Sequence, residues 1–130
     1  MRLHRFDGGL GKAEVLNRAA GLASGEILAF SDATGMWSRN AIAVMVEHYA
    51  DPRVGCVSGR VGYSYDDSPA SAGFGIYQRW ILALRRAEAA FGAGFNASGS
   101  IHSIRKSVFM PGPPDTFMDM VDPLHAAMKG

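Results

Sequence analysis

Apolar residues recur at helical spacing in several stretches of the chain, and short apolar runs typical of strands lie between them. The run at residues 26–32 follows Gly25 and is long enough for a buried strand but too short for a helix. It ends on an acid, Asp32. Ligands of open α/β sheets bind beyond the carboxyl ends of the strands, so Asp32 is a candidate ligand contact. A side chain that closes a turn is the alternative.

The whole pattern alternates short extended segments with helices. This order predicts a single α/β domain with a mainly parallel sheet and helices on both faces. Helices are expected over residues 13–23, 39–49, 72–91 and about 115–129, and extended segments over residues 3–6, 26–32, 54–65 and 100–104.

The composition excludes several functional classes for this chain. The 130 residues are 48% hydrophobic and 19% charged, which is typical of a globular domain. The net charge is only +1 and the basic residues are scattered, so nothing favours nucleic-acid binding. Cys56 is the single cysteine, which excludes an internal disulfide and a cysteine metal cluster. No membrane span or signal peptide is visible, so we expect a soluble, cytoplasmic chain.

A glycine-rich loop precedes the first helix. Three glycines among residues 8–11 are followed by Lys12, and free backbone N–H groups at a helix N-terminus together with an ammonium group suit a phosphate. It is not a Walker A loop, because Phe6 and Ala13 stand where that motif needs Gly and Ser or Thr. A plain turn with Lys12 in water is the alternative.

Three acids stand close together near the C-terminus. Asp115, Asp119 and Asp122 fall within eight residues and follow a glycine-rich loop and a short strand. This density exceeds what a solvated surface requires, so the segment is a second candidate for chemistry.

Five segments together resemble the nucleotide-sugar domain of the processive-type family-two glycosyltransferases, which include the synthases of cellulose, chitin and hyaluronan. They occur in the family's order and cover nearly the whole chain. The resemblance implies a GT-A fold and inverting transfer of a sugar from a nucleotide diphosphate sugar, with UDP-sugars favoured, to a hydroxyl of a glycan or lipid-linked acceptor in polysaccharide biosynthesis. It also implies a Mg²⁺ or Mn²⁺ cofactor. The segments are residues 11–19, 25–33, 51–59, 97–106 and 113–119.

The resemblance also implies residue roles. Lys12, Asp32 and Ala33 would bind the nucleotide and its cation, with Asp32 as the metal ligand and Thr34 at the place of the motif's second acid. Asp119 would take the proton from the acceptor hydroxyl, with Asp122 as the alternative base. The residues expected to bind substrate are Asn17, Ser98, Gly99 and Arg105.

The family's first strand and helix would precede Met1, so we expect residues 1–130 to be one partial domain truncated at both ends. A sheet edge left open in this way favours a homodimer. Two other hypotheses stay open. One is a truncated module that binds nucleotide or a protein partner without turnover. The other is an unrelated phosphate-binding α/β protein that uses only the glycine-rich loop.

Overall fold

The computed structural model of the chain describes residues 3–6, 8–60, 69–90 and 97–129. The predicted α/β alternation is confirmed, except that residues 3–6 form no strand and that residues 61–65 of the third extended segment lie outside the described part. The helices are α1 (Lys12–Leu22), α2 (Ala41–Glu47), which continues as a 3₁₀ turn (His48–Ala50), α3 (Pro69–Ala90) and α4 (Met118–Lys129); the strands are β1 (Ile27–Ser31), β2 (Cys56–Ser58) and β3 (Ile101–Arg105).

The three described strands form a sheet in the order β1-β3-β2. The prediction of a mainly parallel sheet is wrong for these strands, because β3 pairs antiparallel with both neighbours. Ser31 pairs with Ile101, and Ser58 pairs with His102. β1 and β2 therefore run in the same direction with β3 reversed between them. The apolar pattern of a strand sets which face is buried but carries no information on direction.

Helices cover both faces of this sheet, as predicted. On one face, Ala20 of α1 packs in a core cluster with Leu28, Phe30 and Ile104. On the other face, the hydroxyls of Tyr49 and Ser103 share a 2.8 Å hydrogen bond. A small apolar cavity of about 80 Å³ lies beside this contact, between α2 and the strands β1 and β3.

Helix α4 lies on the same face as α1, against β2 and β3. A side chain at Gly55 is excluded there, because its Cβ would stand 2.8 Å from the Cβ of Ala126. This close approach of helix and sheet fixes the position of the α4 segment that carries Asp119 and Asp122.

Two apolar stripes are less buried than their spacing suggests. On α2, Met45 is buried while Ile42 is 58% exposed, and on α3 Trp80 is 63% exposed. Helical periodicity shows which residues share a face, but not what covers that face.

Candidate active site

A cleft of about 300 Å³ opens where β1 ends and β3 begins. The antiparallel pairing brings these two points together, since the last residue of β1 pairs with the first of β3. The walls come from the start of α1, from the sheet, and from the segment that leads into α4. They comprise Gly11, Lys12, Ala13, Leu16, Phe30, Ser31, Gly99, His102 and residues 114–119.

Asp32 lies at the mouth of this cleft, directly after β1. Its backbone carbonyl closes a turn by accepting the Gly35 N–H at 3.0 Å, so the turn and the candidate ligand role are compatible. Its Oδ1 accepts a 2.5 Å hydrogen bond from Nζ of Lys12, and its Oδ2 accepts one of 3.3 Å from the Ser100 hydroxyl. The Lys12 bond lowers the pKa of the Asp32 carboxyl below its ordinary value. Asp32 is therefore a carboxylate at neutral pH.

Gly99 lies between two carboxylates. A Cβ built on Gly99 would be 3.1 Å from Oδ2 of Asp119 and 3.8 Å from Oδ2 of Asp32. Both oxygens thus lie within 4 Å of one point, although 87 residues of sequence separate the two acids. A residue without a side chain lets the turn approach the Asp119 carboxylate this closely.

Asp119, in the first turn of α4, is held through its main chain. Its carbonyl oxygen accepts a 2.7 Å hydrogen bond from the Ala97 N–H, just before the Gly99 turn. Among the described residues its carboxylate has no hydrogen-bond or ion-pair partner. The lone pairs of Asp119 are therefore free to accept a proton.

Asp122, the alternative base, has a different environment. Its side chain is fully buried, and Oδ2 lies 3.1 Å from Nε2 of His102. The other ring nitrogen of His102, Nδ1, lies 3.0 Å from the carbonyl oxygen of Ser98. Asp122 contacts the interior of the fold beneath the cleft instead of facing the cleft itself.

Arg105 lies at the far end of β3 from the cleft. Its guanidinium donates to the carbonyl oxygens of Val54, Tyr49 and Asp51 at 2.7 to 3.0 Å and lies 5.1 Å from the centre of the Tyr49 ring. Four residues of extended strand separate it from the Asp32 end, roughly 13 Å. In this place Arg105 holds three backbone carbonyl groups and does not line the cleft.

The side chain of Asn17 also bonds to backbone groups. Its side-chain amide donates to the Gly112 carbonyl at 2.8 Å and accepts the Gly112 N–H at 3.3 Å. This pair of bonds ties α1 to the loop that leads into residues 114–119. Asn17 shapes one wall of the cleft, and its amide groups are already committed.

Two further predicted positions are neighbours in sequence of Gly99 and Asp32. Ser98 is buried, and its N–H donates to the hydroxyl of Ser58 at 2.8 Å, so it positions Gly99. Ala33 follows Asp32 and is exposed. Lys12, Asp32, Gly99 and Asp119 are thus brought together. Asn17 and Arg105 bind backbone groups instead, and Ser98 is itself held through its backbone.

Sequence reasoning missed His102 and Ser100. Ser100 and His102 alternate with Ile101 in the predicted strand, and this alternation, which puts both on one face, was the available signal. Spacing alone does not show that His102 reaches Asp122, because the contact joins a strand to a helix packed on it.

The comparison with protein families decides the class of protein. The family model described as glycosyl transferase family 2 matches residues 1–110 of this chain. The chain belongs to glycosyltransferase family 2. No curated protein and no solved structure gives a significant match.

Membership of family 2 means a GT-A fold and glycosyl transfer that uses a nucleotide sugar donor and an acceptor. Nothing in the match favours the alternative of a binding module without turnover. The match covers Lys12, Asp32 and Gly99, and it ends before Asp119. No helix of the described residues is long and apolar enough to cross a membrane.

Family 2 members commonly use a divalent metal. Across residues 3–6, 8–60, 69–90 and 97–129, no group of three or more His, Cys, Asp or Glu side chains is arranged to hold one. Mg²⁺ is usually bound by one or two carboxylates and by substrate phosphates, without an all-protein cage. The ionised Asp32 at the mouth of the cleft fits this type of donor set.

Proposed function

We propose that the cleft transfers a sugar, with inversion, from a nucleoside diphosphate sugar to an acceptor hydroxyl. The observation that carries the proposal is the approach of Asp32 and Asp119 to one point above Gly99. One carboxylate is paired with an ammonium group and the other is unpartnered among the described residues. The two carboxylates can therefore take different tasks: the paired one helps to bind the leaving group, and the unpartnered one accepts a proton.

Asp119 is the proposed general base. It takes the proton from the acceptor hydroxyl as the acceptor oxygen bonds to the anomeric carbon and the bond from that carbon to the diphosphate oxygen breaks. Inversion follows because the attack is a single in-line displacement. The environments of the two candidate bases support Asp119 over Asp122, since only Asp119 has a carboxylate that faces the cleft.

Lys12, Asp32 and Ala33 form the proposed donor side. Lys12 opens α1, where backbone N–H groups and the positive end of the helix dipole favour a phosphate. Asp32, together with the diphosphate, would hold a Mg²⁺ or Mn²⁺ ion, which when bound neutralises charge on the leaving group. Thr34, at the place of the second acid, leaves one protein carboxylate for this task.

The acceptor side is proposed to be the Gly99 turn and the wall formed by residues 114–118. Gly99 lies directly beside the Asp119 carboxylate, which is where a hydroxyl must lie to lose its proton. A UDP-sugar is the proposed donor, and a glycan or lipid-linked sugar the proposed acceptor.

The proposal is tested by calorimetry and by product analysis. The chain is titrated with UDP-, GDP- and dTDP-sugars in the presence of Mn²⁺, with EDTA as the matched control. Binding of at least one donor that is lost with EDTA supports the site. Proton NMR of the first product then gives the anomeric configuration, and retention would exclude the single displacement.

A homodimer through a sheet edge remains part of the proposal. β1 is an edge strand of the described sheet, and edge strands carry unpaired backbone groups that can add a second chain. Light scattering of the purified chain gives its mass. A monomer at all concentrations would remove this part of the proposal and leave the transfer chemistry untouched.

A further inference from the structure

His102 and Asp122 form a buried pair that the proposed chemistry does not use. Their side chains are 3% and 0% exposed. Both ring nitrogens of His102 face an oxygen: Nδ1 faces the carbonyl of Ser98, and Nε2 faces Oδ2 of Asp122. The pair lies directly under the cleft, whose lining includes His102.

The two contacts determine the number of protons on the pair. A backbone carbonyl only accepts hydrogen bonds, so Nδ1 of His102 carries a proton. Between Nε2 and Oδ2 of Asp122 a second proton is needed, because a lone pair facing a carboxylate would leave both groups unsatisfied. With two protons the pair has no net charge, whether the second proton belongs to the ring or to the carboxyl. Net neutrality suits a site without solvent, where a net charge is costly.

The ring of His102 joins three segments that form the cleft. It stacks on Phe30 of β1, with the ring centres 5.0 Å apart. Through Nδ1 it holds Ser98, the residue before Gly99, and through Nε2 it holds Asp122 on α4. Asp119 lies three residues before Asp122 on that helix, so the two acids are one helical turn apart.

We propose that the His102–Asp122 pair is a two-proton positioning unit that sets the place of the Asp119 carboxylate relative to the Gly99 turn. It complements the bond from the Ala97 N–H to the Asp119 carbonyl. Together the two links fix the turn and the helix that meet at the reacting hydroxyl. The role in turnover rests on the proposed function, whereas the proton count does not.

The proton count is tested by ¹⁵N NMR of the histidine rings at pH 7, with the His102 signals assigned by their loss in His102→Phe. We expect Nδ1 to be protonated and Nε2 to share a proton with Asp122. In Asp122→Asn the side-chain amide donates instead, so Nε2 becomes a pure acceptor. Asp122→Asn thus gives the reference signal for an Nε2 that only accepts. A wild-type His102 ring without a proton on Nδ1, or a wild-type contact between Nε2 and Asp122 that carries no proton, would overturn the two-proton unit.

The positioning role is tested by turnover of the intact chain with the donor that binds. His102→Phe keeps the ring stacked on Phe30 but loses both hydrogen bonds, and Asp122→Leu keeps volume but loses one. We expect each to lower kcat at least tenfold while donor KM changes less than threefold. Asp122→Asn keeps the bond and is expected to retain kcat within about threefold, although an amide cannot act as a base. Glu47→Gln, on the exposed side of α2, is the matched control.

Each outcome separates the two claims. Unchanged kcat in folded His102→Phe overturns the positioning role and leaves the transferase proposal standing. If kcat falls as far in Asp122→Asn as in Asp122→Leu, Asp122 is indicated as the base, and the positioning role is again overturned. If the wild-type chain binds no nucleotide sugar, the proposed function fails, while the NMR experiment still decides the proton count.

Discussion

The ammonium group of Lys12 and the carboxylate of Asp32 are joined by a 2.5 Å ion pair across the mouth of the cleft. The pair is exposed, with 66% of the Lys12 side chain and 34% of the Asp32 side chain accessible. Exposed ion pairs contribute little to stability, about 0 to 1 kcal/mol. The function of this pair is therefore best sought in ligand binding.

Lys12→Met and Asp32→Asn are expected to weaken donor binding and to leave the fold intact. Each removes one charge of the proposed diphosphate and cation site, and hydrogen bonds to charged groups contribute about 1.5 to 3 kcal/mol. We therefore expect roughly ten- to a hundredfold weaker binding in calorimetry, with the midpoint of thermal unfolding changed by no more than a few degrees. Loss of Mn²⁺ dependence should occur only in Asp32→Asn. Unchanged metal-dependent binding in that variant would show that Asp32 is not the ligand.

Gly99→Ala tests the close approach of the Gly99 turn to the two acids. The new methyl group would stand 3.1 Å from Oδ2 of Asp119, so the carboxylate must move. A small misplacement of a reacting group costs on the order of tenfold to a hundredfold in rate. We therefore expect the turnover of Gly99→Ala to fall by this factor, while its affinity for the donor is retained.

Gly21→Ala is the matched control for this substitution. Nothing lies within 4 Å of its Cβ, and it sits within α1, where alanine should stabilise the helix by about 0.5 kcal/mol. Equal turnover of Gly99→Ala and wild type would contradict a role for this close approach.

Arg105→Met separates a structural from a substrate role. The variant leaves the carbonyl groups of Tyr49, Asp51 and Val54 without their donor, which should lower the free energy of unfolding by about 2 to 4 kcal/mol. Arg53→Met removes only an exposed ion pair with Asp51 and should leave the free energy of unfolding nearly unchanged, because exposed ion pairs are screened by solvent. Urea titration of the two variants and the wild type measures the difference. A loss of donor affinity in Arg105→Met without loss of stability would restore the substrate role.

Cys56 is expected to be unreactive in the folded chain. Burial raises the pKa of its thiol to about 12, with a further contribution from the nearby Asp122. Because only the thiolate reacts, alkylation at pH 8 should be at least about a hundredfold slower than for a free cysteine. Mass spectrometry of iodoacetamide labelling with and without guanidinium measures this. Equal rates in the two conditions would show that the thiol is not held in the core.

The order of elements could be predicted from the sequence because hydrophobic periodicity reports burial. Residues 13–23 were expected as a helix, and α1 spans Lys12–Leu22; residues 100–104 were expected as a strand, and β3 spans Ile101–Arg105. The reversal of β3 was missed, since strand direction depends on pairing and not on local pattern. For helices, likewise, the local pattern places Trp80 on an apolar face but does not show whether that face is covered.

The candidate site was predictable where a residue's role comes from its position at the end of an element. Lys12 opens a helix and lines the cleft, and Asp32 directly follows a strand and bonds Lys12 beside it. Arg105 and Asn17 differ, because their partners are backbone groups distant in sequence that only the fold brings near. The His102–Asp122 pair was missed for the same reason.

The claim that Asp119 is the base has the most direct test in single-turnover release of nucleoside diphosphate by Asp119→Asn. The wild-type chain and the variant are mixed with the donor that binds, Mn²⁺ and a panel of mono- and oligosaccharide acceptors. Loss of general-base catalysis should lower the rate by roughly 10²- to 10⁴-fold, and calorimetry should show donor affinity within twofold of wild type. A variant that releases nucleoside diphosphate at the wild-type rate would contradict the account.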